Sequence, residues 1–216
     1  MLRLSATIAT ALLLFGVRTA AAPSPLRLPP RDECSSVPAF AAFRTDLESV
    51  VRRRDVSALQ KLSASDIMYT SDGEKGWRAF ADDWKLGQKG ESDLWLQLAM
   101  VLRLGCARDG SNMIMPYYSA RLPEGKDEEV IYLPVRDGVP VLSKPNIRSR
   151  VVTLTHWDVL YAHEYAADGV RWIKVATGDG KRGFIHSRDV RADVDYRAGF
   201  TFHRGRWEMS HFVAGD

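Results

Sequence analysis

The chain has 216 residues, 45% of them hydrophobic, with 30 Lys and Arg against 27 Asp and Glu for a formal charge of +3. So small an excess, with Arg52-Arg53-Arg54 and the residues around Arg148 and Arg150 as its main basic clusters, argues against nucleic acid as a partner. After the first twenty-two positions no stretch is apolar enough to make a spanning helix, and the length suits one domain or two small ones.

The start reads Met-Leu-Arg, then an apolar run over 6–17, then Arg18-Thr19-Ala20-Ala21-Ala22, which is the order of a secretory signal. Arg18 ends the run too early for a membrane span. Residues 1–22 are therefore expected to be a cleavable signal peptide, with cleavage at Ala21 or Ala22 and the mature chain periplasmic or secreted, without a membrane anchor. Loss of Arg3 and Arg18 with that peptide takes two of the 30 basic residues and none of the 27 acidic ones, so the remainder is nearly neutral. Pro23, Pro25, Pro29 and Pro30 make 23–33 an extended leader in which no function is expected. The two cysteines, Cys34 and Cys106, are expected to form a disulfide in an oxidising compartment, the alternative being two buried thiols.

Residues 34–128 are expected to form a helical or α+β unit. Phe40, Phe43, Leu47 and Val50 or Val51 recur at three- and four-residue steps over 37–53, the period of an amphipathic helix. A second helix is predicted over 56–62 and a short strand over 66–70. Ser71-Asp72-Gly73-Glu74 fits a capping box opening a third helix, with Trp77, Phe80 and Trp84 on one face. A fourth over 92–104 offers Leu94, Trp95, Leu98, Val101 and Leu102 and ends at Gly105.

Beyond Gly110 short β-prone runs follow, over 113–120, 130–135, 151–154, 159–161, 172–175 and 183–186. Turn signals such as Asp137-Gly138, Asp168-Gly169 and Gly178-Asp179-Gly180 separate them. This spacing predicts a small antiparallel β-barrel over 129–192. A C-terminal β-hairpin is predicted over 193–216, turning at His203-Arg204-Gly205-Arg206. The expected class is α+β.

The succession Val139 to Pro145, Val151-Val152-Thr153-Leu154, Val159-Leu160, Trp172-Ile173-Lys174-Val175, Gly183-Phe184-Ile185 and Val190 resembles the bacterial Src-homology-3-like domain. The resemblance implies a barrel in an exported or envelope protein, with cell-wall peptides or protein segments as ligands. Leu142 stands where that family usually carries arginine. The flanking helices and the Gly205-Arg206-Trp207 of the hairpin resemble a nuclear-transport-factor-type (SnoaL-like) cone. That likeness implies a barrel inserted within the cone and a closing hairpin paired with 113–120.

No catalytic constellation stands out. His156, His163, His186, His203 and His211 lack a triad or zinc motif, and Gly178 to Gly183 lies between strands, as a hairpin turn rather than a phosphate loop. No metal or cofactor is expected. Rigid rings gain contact area at low entropy cost, so barrel aromatics near loops are the candidate ligand-binding residues: Trp157, Tyr161 and Tyr165. Trp172 and Phe184 are expected in the core. The sequence reading is a non-catalytic exported binding protein whose partner is peptidoglycan or an envelope protein. One alternative is a small-molecule pocket in the cone with Asp66, Tyr69 or Tyr118 converging; another is an inhibitor or immunity-type protein with a large exposed aromatic patch.

Overall fold

A computed structural model describes residues 24–88, 92–122 and 130–215, and the expected signal peptide lies outside them. The chain runs through α1 (Pro38–Arg53), α2 (Val56–Leu62), β1 (Ser63–Met68), α3 (Trp77–Asp83), α4 (Leu94–Arg103), β2 (Ala107–Asp109) and β3 (Asn112–Met115). After a 3-10 turn (Tyr117–Ala120) come β4 (Val130–Pro134), β5 (Pro140–Leu142), β6 (Val151–Leu154), β7 (Leu160–Ala162), β8 (Trp172–Thr177) and β9 (Arg182–His186). A second 3-10 turn (Ser187–Asp189), β10 (Val190–Ala192), β11 (Arg197–His203) and β12 (Arg206–Val213) complete an α+β fold.

Each helix forms where its apolar period meets a workable end. Pro38 opens α1, its missing N–H costing nothing in the first turn, and Phe40, Phe43, Leu47, Val50 and Val51 are buried along one stripe. Arg54, left-handed at φ 56°, ends the helix by donating its N–H to the carbonyls of Val50 and Val51. Asp55 then caps α2 by accepting from the Ala58 N–H at 2.9 Å. The expected capping box before α3 is absent. Residues 71–74 form a tight turn instead, in which Tyr69 N–H donates to the Glu74 carbonyl and Gly76, at φ 121°, starts the helix without a side-chain cap. Met68 bridges Lys75 across that turn, and within it Gly73 N–H donates to the Thr70 carbonyl and Glu74 N–H to Thr70 Oγ1, so these donors serve the turn and not a helix start.

The first sheet has the order β1-β12-β11-β3-β2. The hairpin lies at its middle, and β11 pairs antiparallel with β3 through Ala198 and Met115, Gly199 and Ile114, and Phe200 and Met113. Arg204 and Gly205, at φ 49° and 83°, are the two-residue turn whose twist matches the flanking strands. Helices and sheet enclose a core packed with rings: Phe40 meets Phe200 at 5.5 Å and Trp207 at 4.9 Å, and Tyr196 stacks on Phe212 at 5.0 Å beside Trp84. This filling leaves side chains where an empty cone would offer a cavity.

The second sheet is antiparallel, in the order β10-β4-β7-β8-β9-β5-β6. The expected closed barrel is not found: β10 and β6 are its two ends, and no pairing joins them among the described residues. A register shift between Val141 and Leu142 skews the pairing of β5 with β6, and Val151 and Leu154 on β6 are exposed. The inner face still gathers a core of Tyr132, Val139, Val141, Leu160, Ile173, Val175 and Ile185. A third cluster, Leu104, Tyr118, Ile131, Leu133 and Val159, packs the outer side of β4 and the residue before β7 against the helical unit.

The proline-rich leader is extended, as its composition requires, but it is seated on the fold. Leu28 N–H donates to the Trp157 carbonyl at 2.9 Å, Val159 N–H to the Leu26 carbonyl at 2.8 Å, and Arg27 meets the buried Asp158 carboxylate at 2.8 Å. Further on, Cys106 N–H donates to the Arg31 carbonyl at 2.8 Å. The Cys34–Cys106 disulfide, with Cα atoms 5.8 Å apart, then fixes the strap's end. No helix of the described residues is long and apolar enough to cross a membrane.

Candidate functional site

Strands β8 and β9 pair Trp172 with His186, Ile173 with Ile185, Lys174 with Phe184, Val175 with Gly183 and Ala176 with Arg182. Directly opposed residues share a face, and the faces alternate along each strand. Ile173, Val175 and Ile185 turn inward to the core, so Trp172, Lys174, Phe184, His186 and Arg182 turn outward. The expectation that Trp172 and Phe184 belong to the core is therefore corrected: both are half-buried on the outer face. Gly183 is what lets β5 close on this pair of strands, because a Cβ there would stand 2.5 Å from the Leu142 carbonyl oxygen and 2.7 Å from Val141 Cγ1.

The outer face continues into a groove of about 710 Å³ bordered by Tyr161, Tyr165, Glu164, Trp172, Lys174 and Arg182. Trp172 is held edge-on to the His186 imidazole at 5.1 Å between ring centres. The Tyr165 hydroxyl donates to Asp193 at 3.0 Å, which fixes its half-exposed ring. Lys174 is exposed on this face, as is Arg182. The groove thus offers apolar rings for stacking, with the exposed cations Lys174 and Arg182 and the Glu164 carboxylate along its border.

Of the three sequence-predicted ligand residues, Tyr161 and Tyr165 border this groove and Trp157 does not. Trp157, at φ 64°, is half-buried against the third cluster with its carbonyl engaged by Leu28. Sequence reasoning missed Lys174 and Arg182. Strand alternation in Trp172-Ile173-Lys174-Val175, counted from the apolar partners, was the signal that placed them outside.

A second, more polar groove of about 690 Å³ crosses the far face of the first sheet, past Asp66, Lys75, Arg206, Glu208, Ser210 and His211. Burial first, and then the Arg197 guanidinium, lowers the His211 pKa below its ordinary value. Ser210 Oγ donates to the Gly199 carbonyl at 3.1 Å and stands 3.5 Å from His211 Nδ1. Asp66 borders this groove, whereas Tyr69 packs on the first core and Tyr118 is buried in the third cluster, its hydroxyl pKa pushed by burial to about 12. The three residues weighed for a small-molecule pocket therefore do not converge. Asp32, Cys34 and Cys106 come together, but the disulfide removes the thiolates a metal would need.

No family model matches the chain, and no curated protein does.

Proposed function

We propose that the protein is a non-catalytic, exported binding protein, and that its second sheet is an opened relative of the bacterial Src-homology-3-like barrel which takes a cell-wall peptide on the outer face of β7, β8 and β9. The observation that carries this reading is the shared face of Trp172, Lys174, Phe184 and Arg182 beside the groove of Tyr161 and Tyr165. Stem peptides of the wall carry free carboxylates on an amino-sugar backbone, which matches cations set among rings. The disulfide is in keeping with an oxidising compartment.

The test is co-sedimentation of the mature protein with purified peptidoglycan sacculi. Binding should saturate, and Trp172→Ala, which removes a half-buried ring without opening the core, should weaken it by about tenfold or more. Trp157→Ala should act on stability instead of affinity. Absence of pelleting by the wild type, or equal affinity of Trp172→Ala, would overturn the reading.

A further inference from the structure

At the far end of the same sheet, β6 pairs with β5 on one side and with nothing on the other among the described residues. Thr155 turns its backbone toward that neighbour, donating to the Val139 carbonyl at 2.9 Å and accepting from Gly138 N–H at 2.9 Å. By alternation the N–H of Leu154 faces the open side. An open edge is a template for another extended chain, and proteins usually blunt such edges with charges on the strand itself. Here the strand is Val151-Val152-Thr153-Leu154, with no charge at all.

Charge is concentrated beside the strand instead. Lys144, Arg148 and Arg150 are exposed, none has an ion pair or side-chain hydrogen bond among the described residues, and no acidic residue occurs between Val139 and Trp157. Large apolar side chains sit among them: Ile147 is 69% exposed, Val151 47% and Leu154 48%. The loop is fixed in place, since Asn146 Oδ1 accepts from Arg148 N–H at 2.9 Å and Ser149 Oγ donates to the Lys144 carbonyl at 3.0 Å. Its cations are therefore presented in a set frame, at reduced ordering cost on binding.

We propose that this edge takes an acidic, extended segment of a partner protein as an added strand. The partner backbone pairs with β6, its apolar side chains cover Val151, Leu154 and Ile147, and its carboxylates meet Lys144, Arg148 and Arg150. This mode of recognition uses main-chain hydrogen bonds for affinity and side-chain charge for selection. It is independent of the wall-binding face, which lies on β7, β8 and β9.

The probe is a short dye-labelled peptide alternating glutamate and valine, titrated into the mature protein and followed by fluorescence anisotropy. The wild type should bind it, and the combined variant Lys144→Glu, Arg148→Glu and Arg150→Glu should bind it about tenfold more weakly or worse. The same peptide N-methylated at alternate residues keeps its charge but cannot pair, and it too should lose about tenfold or more. That comparison uses the wild-type protein alone, so it decides the matter even where the charge-reversed variant fails to fold. Equal binding of the N-methylated peptide, equal binding of a lysine-for-glutamate peptide, or no binding of the glutamate peptide would each overturn the proposal. So would sedimentation showing that β6 is already covered by a second copy in a dimer.

Discussion

His211 lies across Gly199, on a strand register where the two are direct partners, and a Cβ on Gly199 would stand 1.8 Å from His211 Cε1, clashing with the imidazole. The missing side chain is what allows the ring to be desolvated, and desolvation is the larger cause of its lowered pKa. The linkage has a definite sign. Between the lowered folded value and the ordinary 6.5, the unfolded chain binds a proton that the folded chain refuses, so the contribution of His211 is present above 6.5 and lost as pH falls through the folded value. Gly199→Ala should push the ring out toward water. Urea unfolding across this range should show a variant less stable by about 1–3 kcal/mol at pH 7.5 and flatter below pH 6.5 than the wild type. A parallel pair of profiles would mean that the imidazole is not held by that contact.

At the scale of elements, the strap from residue 24 to Cys34 joins pieces that no local pattern connects. Its hold rests on the backbone bonds to Trp157 and Val159 and on a disulfide that spans a sequence separation of 72. Chain-entropy reasoning gives such a link about 4 kcal/mol, so the double variant Cys34→Ser, Cys106→Ser should lose roughly that much in denaturant unfolding. An unchanged midpoint would show that the strap is held without it. The strap also marks where the sequence stops being legible. Helices α1 and α4 could be read because Phe40, Phe43 and Leu47, or Leu94, Leu98 and Val101, carry their own period, and the last hairpin because Gly205 accepts the positive φ of a tight turn. Seating of Leu26 on Val159 and of Leu28 on Trp157 could not be read, since prolines announce extension but not a pairing partner about 130 residues away in sequence. Likewise Ser71 to Glu74 carried the letters of a capping box while Met68 and Lys75, pairing across it, decided the turn. The proposed binding face was half legible: Tyr161 and Tyr165 stood out as rings, while Lys174 and Arg182 needed the register of β8 on β9.

For the whole molecule, the decisive residue is Arg191, on the edge strand of the second sheet and with only 7% of its side chain exposed. Its guanidinium donates to Gln97 Oε1 on α4 at 3.0 Å and to the Tyr196 carbonyl, just before β11, at 3.0 Å. One buried side chain thus ties the second sheet to both the helices and the first sheet. Around it the third cluster adds Leu133 and Val159 from the second sheet against Leu104 and Tyr118. Two units joined by an apolar seam and a buried charge should unfold as one, because separating them exposes the seam and strands the polar partners. Wild-type protein should therefore give a single calorimetric transition. Arg191→Ala should cost about 2–4 kcal/mol, by leaving Gln97 and the Tyr196 carbonyl without their donor in a site water enters poorly. If the seam is the source of cooperativity, that loss should also split the transition in two, with the lower step assigned to the second sheet by the fluorescence change that disappears when the same melt is repeated with Trp172→Phe, since Trp172 is one of six tryptophans. A variant that melts in one step at an unchanged temperature would show that the cluster alone couples the units and that the buried arginine adds nothing to it.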